Sequence, residues 1–180
     1  MYRDNTLVPT EAVRLLALGC LTESPLTYAQ LAQEVKQFTG HIIGPSLDLV
    51  GTPLEVLKVE RLIAPVEAAA SEETALLTVT EAGTAEILRL LKSNSRAPIN
   101  DVSKLIVALK MRFLHLLSKE DQLIQIDILQ ELAQRQMEHL SELRAQHTKG
   151  RGQLTAWLDH DIDQARGRLN WLSELRAGIA

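Results

Sequence analysis

The sequence has one cysteine and no long uncharged apolar run. Cys20 cannot form a disulfide within the chain, and its place in the run LLALGCL favours a buried, small hydrophobic side chain over a reactive thiol. No segment approaches the roughly 18 apolar residues of a transmembrane helix. The opening residues, MYRDNTLVPTEA, have no basic segment followed by an apolar one. We therefore expect no membrane span, no secretory signal and a cytoplasmic protein.

The sequence also lacks the residue patterns of enzymes and metal sites. It has five histidines, but His139 follows Glu138 without an HExxH frame. His160, Asp161 and Asp163 fall on a predicted helix, where a solvated acidic face is a simpler interpretation than a metal site. No GxSxG motif and no phosphate-binding glycine loop occur. We expect no catalytic residue, no metal and no cofactor.

Basic charge and aromatic residues are scarce, whereas aliphatic residues are abundant. The formal net charge is −4, which does not by itself indicate nucleic-acid binding. Up to Leu90 there are six basic and twelve acidic residues, a net charge of −6, and the remainder has thirteen basic and eleven acidic residues, a net charge of +2. A hydrophobic fraction of 46% with 3% aromatics predicts a helical core of Leu, Ile, Val and Ala. A chain of 180 residues fits one domain or two small ones.

Two helices are predicted before residue 41. Pro9-Thr10 begins the first, and Ser24-Pro25 ends it. The second begins at Thr27, where Gln30 three residues later completes a capping box. Thr39-Gly40 is predicted to end this second helix.

The stretch from Thr39 to Ile63 predicts a third, amphipathic helix, because its apolar and charged residues recur at helical spacing. The start of this helix has two interpretations. Thr52 can cap it with Pro53 at the first helical position, or Ser46 can cap a longer helix that bends near Gly51. We favour the longer helix.

A small hairpin and a fourth helix follow. The segments VEAAA (66–70) and ALLTV (75–79) predict two short strands, and TEAG (80–83) begins a helix that runs toward Lys92. Three helices, a hairpin and a helix form the order of a winged helix-turn-helix, in which the third helix enters a DNA groove and the hairpin is the wing. The predicted fold is mainly α, with a winged helix-turn-helix domain at 1–92, a linker at 93–98 and a C-terminal helical domain at 99–180.

In the C-terminal domain, the spacing of apolar residues predicts a buried helix from Asp101 to Leu117. It also predicts two long helices, Asp121 to about His147 and about Gln153 to Arg176. The turn TKGRG joins the long helices into an antiparallel hairpin. Because a lone hairpin has two broad apolar faces, we expect a second copy of the chain to cover it; folding back onto the N-terminal domain of a monomer is the alternative. The expected dimerisation residues are Leu129, Met137, Leu140, Leu154, Leu158, Ile162, Leu169 and Leu172.

Several strings in this order resemble the PadR family of bacterial transcriptional regulators, in particular its AphA-like branch with a virulence-activator type C-terminal domain. LALGCLTESPLTYAQL matches the family's opening helix and the phrase after it, and VTEAG matches the family's LTEAG after the wing. LKMRFLHLLSKED and RLNWLSEL are similar in layout to the family's C-terminal half, so the resemblance covers nearly the whole chain. The residues shared with the family's loop and recognition helix are Thr39, Gly40, Pro45, Ser46, Leu54, Leu57, Glu60, Leu62 and Ile63.

This resemblance implies a homodimer on double-stranded operator DNA, in some members with a small ligand that adjusts the two winged domains, and no metal or nucleotide cofactor. Trp157 and Trp171 lie fourteen residues apart on the last helix and share a face, which either packs in a core or dimer or lines a ligand pocket. Each expected DNA contact also has a structural interpretation as a cap, a packing residue or a solvated charge. The expected DNA contacts are Thr27, Tyr28, Ser46, Thr52, Lys58 and Arg61.

Two departures from the family pattern bear on DNA binding. Gly51-Thr52 stands where the family commonly has Tyr-Pro, and the wing carries Glu72 and Glu73 where members often carry Arg or Lys. Because non-specific DNA affinity comes mainly from neutralised phosphates, this wing predicts weak, salt-sensitive binding. The alternative function is a protein-protein interaction module that kept the winged fold and lost strong DNA binding.

Overall fold

A computed structural model of the chain describes residues 7–43, 51–66, 74–94, 101–146 and 153–180. They form two compact units. The first unit contains the described residues up to Asn94 together with those from Asp101 to Leu117, and the second begins at Ser118. The elements are α1 (Pro9–Glu23), α2 (Tyr28–Ile43), α3 (Gly51–Val59), β1 (Ile63–Pro65), β2 (Leu77–Val79), α4 (Glu81–Leu91), α5 (Asp101–Phe113), a 3₁₀ turn (Leu114–Leu116), α6 (Lys119–Gln146) and α7 (Leu154–Ile179).

Helix α1 forms the centre of the first unit. It begins at Pro9 as predicted, a position where the missing backbone N–H costs nothing, and the Val8 backbone N–H donates to Glu11 at 3.1 Å. Helices α2, α3, α4 and α5 and strand β2 all pack against it. Gly19 permits the approach of α5, since a Cβ there would lie 2.4 Å from Cζ of Phe113. Cys20 is buried, as the sequence predicts.

Helix α2 begins as predicted but runs further. The Thr27 backbone N–H donates to Oε1 of Gln30 at 2.9 Å, and the Gln30 backbone N–H donates to Oγ1 of Thr27 at 3.3 Å, so the predicted capping box is present. The predicted end at Thr39-Gly40 is wrong, because the helix continues to Ile43. The Thr39 hydroxyl donates to the Val35 carbonyl one turn earlier at 2.8 Å, which holds this residue within the helix.

The two strands pair antiparallel, with Ile63 opposite Val79 and Pro65 opposite Leu77. Strand β2 lies within the predicted segment 75–79. The first strand was predicted at 66–70 but lies at Ile63–Pro65; residues 67–70 are outside the described part of the chain. Pro65 is tolerated because Leu77 exchanges both of its backbone hydrogen bonds with Leu26, at 2.8 and 3.2 Å, and requires no donor from Pro65.

Thr80 joins the start of α4 to the turn after α3. Its Oγ1 accepts from the Gly83 backbone N–H at 3.0 Å, which caps α4 where the sequence predicts a helix start. Its hydroxyl faces the carbonyls of Arg61 and Leu62 at 2.9 and 3.1 Å. The order of three helices, an antiparallel strand pair and a fourth helix is therefore the predicted one.

Helix α5 belongs by contact to the first unit. It packs on α1 and α2, and Leu109 and Phe113 on its inner face are fully buried. Lys110 is also buried, and its ammonium group donates to the carbonyl of Ser93 at the end of α4. The compact units therefore divide the chain after Leu117, whereas the predicted domain division lies at residues 93–98. The apolar face of α5 is already covered by α1 and α2, which explains the difference.

Helices α6 and α7 pack against each other as the predicted antiparallel hairpin. Three polar contacts give the register: Arg176 to Asp127 at 2.6 Å, Gln130 to Ser173 at 3.0 Å, and Arg144 to Asp159 at 2.7 Å. Each step forward along α6 is matched by an equal step backward along α7, so the two helices stay in register over most of their length.

Candidate nucleic-acid interface

The first turn of α2 meets α3 through Tyr28. The Lys58 ammonium group lies 4.8 Å from the centroid of the Tyr28 ring, and the Tyr28 hydroxyl is hydrogen-bonded to Glu55. Burial, with Glu55 as the second cause, raises the pKa of Tyr28 to about 12, so the phenol stays protonated at neutral pH. Two of the predicted DNA contacts, Tyr28 and Lys58, therefore lie side by side, with a carboxylate next to them.

Thr27 precedes Tyr28 on the same surface and is half-buried. Its Oγ1 accepts a hydrogen bond in the capping box, but a hydroxyl can accept and donate at once. The same side chain can therefore cap α2 and donate to a phosphate oxygen.

Arg61 lies in the turn after α3, with an exposed side chain and a left-handed backbone, φ 57°. The Leu62 N–H donates to the Leu57 carbonyl at 2.9 Å and the Arg61 N–H donates to the Lys58 carbonyl at 3.0 Å. This pair of bonds is the Schellman motif, in which the left-handed position is usually glycine. An arginine at this position accepts backbone strain and directs a cation outward at the end of α3.

The other two predicted DNA contacts, Thr52 and Ser46, lie partly or wholly outside the described residues. Thr52 lies in the first turn of α3, directly after its first residue Gly51, but its side chain is outside the described residues. Ser46, and with it the predicted longer form of α3, also lies outside the described residues.

Ion pairs engage three arginines of the first unit. Arg14 contacts Glu60 at 2.8 Å and Glu86 at 3.1 Å, which connects α1 to the end of α3 and to the middle of α4. Arg89 contacts Glu86 at 2.7 Å and Glu11 at 3.1 Å, and Arg112 contacts Glu23 at 2.8 Å and Glu34 at 3.4 Å. These guanidinium groups stabilise the packing of helices and are compensated by carboxylates, so they add little to the attraction of phosphate.

The structure also presents a basic stripe on α2 that the sequence analysis did not single out. Its residues recur at helical spacing, include no carboxylate, and line a shallow groove of about 420 Å³: Gln33, Lys36, Gln37, Gly40 and His41. Nδ1 of His41 donates to the Gln37 carbonyl at 2.7 Å. The spacing of Lys36, Gly40 and His41 is present in the sequence. The prediction that α2 ends at Thr39-Gly40 left His41 outside the helix, so the sequence analysis did not place these residues on one face.

Other kinds of site have little support within the described ranges. No group of three or more His, Cys, Asp and Glu residues there is arranged to hold a metal ion. None of the described helices is both long and apolar enough to cross a membrane. Burial raises the pKa of the Cys20 thiol to about 11, which disfavours the reactive thiolate.

The predicted dimerisation residues lie mostly inside the single chain. Leu129, Leu158 and Leu172 are buried, and Met137, Leu140, Ile162 and Leu169 are half-buried before any second copy is added. Leu154 is 41% exposed. Trp157 and Trp171 are 52% and 47% exposed, so neither indole is enclosed as a pocket wall. Their roles in a dimer or a ligand site stay predictions.

The element order of the first unit defines a winged helix-turn-helix protein, here extended by a long antiparallel helical hairpin. A sequence profile described as "Putative AphA-like transcriptional regulator" matches residues 2–176. The chain therefore belongs to the AphA-like family of transcriptional regulators.

Two solved structures of PadR from Bacillus subtilis are similar to this chain. The complex with p-coumaric acid is 15% identical, with 97% of this chain and 98% of that chain covered and a TM-score of 0.39. The complex with operator DNA is 16% identical, with 93% and 99% covered and a TM-score of 0.36. No curated protein sequence matches this chain.

Proposed function

We propose that this protein is a DNA-binding transcriptional regulator that acts as a homodimer and contacts double-stranded DNA with α2 and α3. The observation that carries the proposal is the junction of the first turn of α2 with α3, where Lys58 lies over Tyr28, in a member of a family of transcriptional regulators. A helix N-terminus presents backbone N–H groups and a positive dipole end to phosphate. Thr27 and Tyr28 stand at this end of α2, and Arg61 adds a cation at the end of α3.

The charge balance of this surface limits its affinity. Glu55 lies beside Tyr28 and Lys58, and the arginines of α1, α4 and α5 are engaged with carboxylates. Because each phosphate contact contributes to affinity, a surface with few uncompensated cations binds DNA weakly. We expect Lys36 in the basic stripe of α2 to supply part of the attraction.

The first experiment selects DNA from a pool of random duplexes at about 50 mM and about 200 mM salt, where phosphate-mediated affinity differs strongly. The size of the unbound protein is measured in parallel. Enrichment of a two-fold symmetric sequence by a dimer is the expected result. A dimer that enriches no sequence at the lower salt concentration would contradict DNA reading.

Arg61→Gly removes a proposed phosphate contact without weakening the fold. Glycine adopts the left-handed backbone at Arg61 without strain, so stability should stay the same or rise by up to ~1 kcal/mol. Loss of one phosphate contact should lower the slope of log affinity against log salt by about 0.9. Arg135→Ala, which removes an exposed arginine of α6 instead, is the control and should leave the slope unchanged. An unaltered slope in Arg61→Gly would exclude this arginine as a phosphate contact.

A second candidate function is an interaction module without strong DNA binding. It is favoured by Glu72 and Glu73 in the wing sequence and by the net charge of −6 up to Leu90. This function predicts a dimer that selects no DNA, whereas strong selection of sites from the random pool would exclude it.

A further inference from the structure

Glu55 is the acidic residue of helix α3, and it lies on the outer face of that helix. Leu54 and Leu57 are buried on the inner face, whereas the Glu55 side chain is exposed. Glu55 is the fifth residue of α3, about 6 Å along the axis from the first residue, Gly51. In helix-turn-helix proteins the N-terminal part of the recognition helix contacts base edges in the major groove. In the proposed function Glu55 therefore stands where bases are read.

The Glu55 carboxylate is held in place by Tyr28. The Tyr28 hydroxyl is hydrogen-bonded to Glu55, and it keeps its proton at neutral pH because its pKa is about 12. Tyr28 is itself half-buried, with the Lys58 ammonium group 4.8 Å from the centroid of its ring. A carboxylate offers about four acceptor positions on its two oxygens. Glu55 can therefore accept the bond from Tyr28 and still accept another from DNA.

Other carboxylates near α3 are neutralised within the chain, but Glu55 is not. Arg14 contacts Glu60 at 2.8 Å and Glu86 at 3.1 Å. Among the described residues Glu55 forms no ion pair. In a DNA groove such a carboxylate loses water and is repelled by phosphates, so it weakens binding to any sequence that offers it no hydrogen-bond donor.

The major groove offers a carboxylate few donors. Guanine presents the acceptors N7 and O6, and thymine presents the acceptor O4, so both repel a carboxylate. Adenine has a donor at N6, but the acceptor N7 lies beside it. Cytosine presents the amino group at N4 alone, and acidic side chains pair with this group. A fixed carboxylate in the groove therefore selects cytosine and disfavours the other three bases.

We propose that Glu55 determines sequence specificity by accepting a hydrogen bond from the N4 amino group of a cytosine, with Tyr28 as its positioning residue. The inference rests on the proposed function and names the base pair that this surface reads. Lys58 and Arg61 attract the phosphates of any sequence, whereas Glu55 lowers the affinity for sequences without cytosine at its position. A surface with few cations thus discriminates between sites without binding DNA strongly.

Glu55→Gln tests the base preference, since an amide of the same shape pairs with N6 and N7 of adenine. In selection from the random duplex pool, the original protein should enrich a C·G pair at one position of each half-site. The variant should enrich A·T there. Its affinity for the original site should fall roughly tenfold. Its affinity for an unrelated duplex should rise, because a negative charge is removed.

Glu60→Gln is the matched control. It removes one negative charge directly after α3, and the amide oxygen can still accept from Arg14. Affinity for both duplexes should rise, and the selected sequence should stay the same. Glu55 and Glu60 both have exposed side chains, so neither substitution should alter folding, which thermal unfolding checks.

Tyr28→Phe tests the positioning role. It removes the hydroxyl but keeps the ring beneath Lys58. The preference for C·G at the Glu55 position should fall several-fold, and the same change in a Glu55→Ala background should leave base preference unaltered. If the hydroxyl served only as a phosphate contact, its loss would lower affinity for all bases equally and would contradict this role.

The outcomes separate this inference from the proposed function. If the original protein and Glu55→Gln select the same base at every position, the reading of cytosine by Glu55 is overturned while a DNA-reading regulator remains. If the original protein selects no sequence, the proposed function fails and this inference fails with it. A change from C·G to A·T in Glu55→Gln, with no change in Glu60→Gln, would establish Glu55 as the residue that reads cytosine.

Discussion

At the scale of single residues, the first unit depends on a second close approach besides the one at Gly19. A Cβ at Gly83 would lie 2.1 Å from the Leu62 carbonyl oxygen and 2.6 Å from Cγ2 of Val79. The first neighbour is backbone and cannot rotate away. The absence of a side chain at Gly83 is what allows the first turn of α4 to rest on the turn after α3.

Gly83→Ala should therefore destabilise the protein by roughly 1–3 kcal/mol, the usual cost of forcing an extra group into a packed site. Gly40→Ala is the matched control, because Gly40 lies within helix α2 with nothing within 4 Å of its added Cβ. That substitution should stabilise by up to ~1 kcal/mol. Urea unfolding measures both, and equal effects of the two substitutions would contradict the close approach.

Lys110 is the other residue with an unusual environment. Burial lowers the pKa of its ammonium group to about 8, from an ordinary value of 10.5. Between these values the unfolded chain binds the proton more readily than the folded chain, so raising the pH favours folding. The contribution of Lys110 to stability should rise by about 2 kcal/mol between pH 8 and pH 10.

Lys110→Met keeps a side chain of similar length and removes the titration. The free energy of unfolding should increase more from pH 8 to pH 10 in the original protein than in this variant. Urea unfolding at pH 8, 9 and 10 gives both curves. Parallel curves would mean that folding does not lower the pKa of Lys110.

At the scale of elements, Thr80 links α3, the strand pair and α4. One hydroxyl both caps α4 and faces the carbonyls of Arg61 and Leu62. The sequence pattern TEAG predicts the helix start, but the bonds to residues eighteen and nineteen positions earlier are a property of the folded unit. The Thr80 side chain thus holds the residues just before β1 next to the residues just after β2.

Thr80→Val replaces the hydroxyl with a methyl group of similar shape and should destabilise the protein by about 1–2 kcal/mol. Thr80→Ser retains the hydroxyl and should cost less. Thermal unfolding compares the two variants. A valine variant as stable as the serine variant would show that packing of the γ-methyl group, rather than hydrogen bonding, is what Thr80 provides.

At the scale of the whole molecule, both tryptophans of the chain, Trp157 and Trp171, lie on α7 and are about half exposed. In the proposed homodimer, cover of α7 by a second copy should remove water from the indole rings. The emission maximum should then move to shorter wavelength as the concentration rises through the dissociation constant. Emission that is independent of concentration while sedimentation detects a dimer would place the interface elsewhere.

The distribution of charge is also a property of the whole molecule. The sequence count of −6 up to Leu90 already includes Arg14 and Arg89, so their ion pairs do not change it. Arg112 comes from beyond Leu90 and pairs with Glu23 and Glu34, so the count for the segment misses this compensating cation. The folded unit is less acidic at its surface than the first half of the sequence, but it also has fewer uncompensated cations to offer.

The sequence by itself determined the features that depend on neighbours along the chain. The capping box at Thr27, the start of α4 after Thr80, the helical hairpin and the family resemblance all follow from spacing within a few turns or from strings of residues. The tertiary structure decided whatever depends on residues far apart. Strand β1 can include Pro65 because Leu77 pairs with Leu26, and α5 joins the first unit because α1 and α2 cover it.

The same distinction applies to the candidate site. The family resemblance gave Thr27, Tyr28, Lys58 and Arg61, among others, as expected DNA contacts. The contact of Lys58 with Tyr28, the left-handed backbone of Arg61 and the exposure of both indoles required coordinates. Periodicity identifies which side chains share a face of a helix, but only packing between distant elements determines which of those faces is covered and which remains available to DNA or to a second copy.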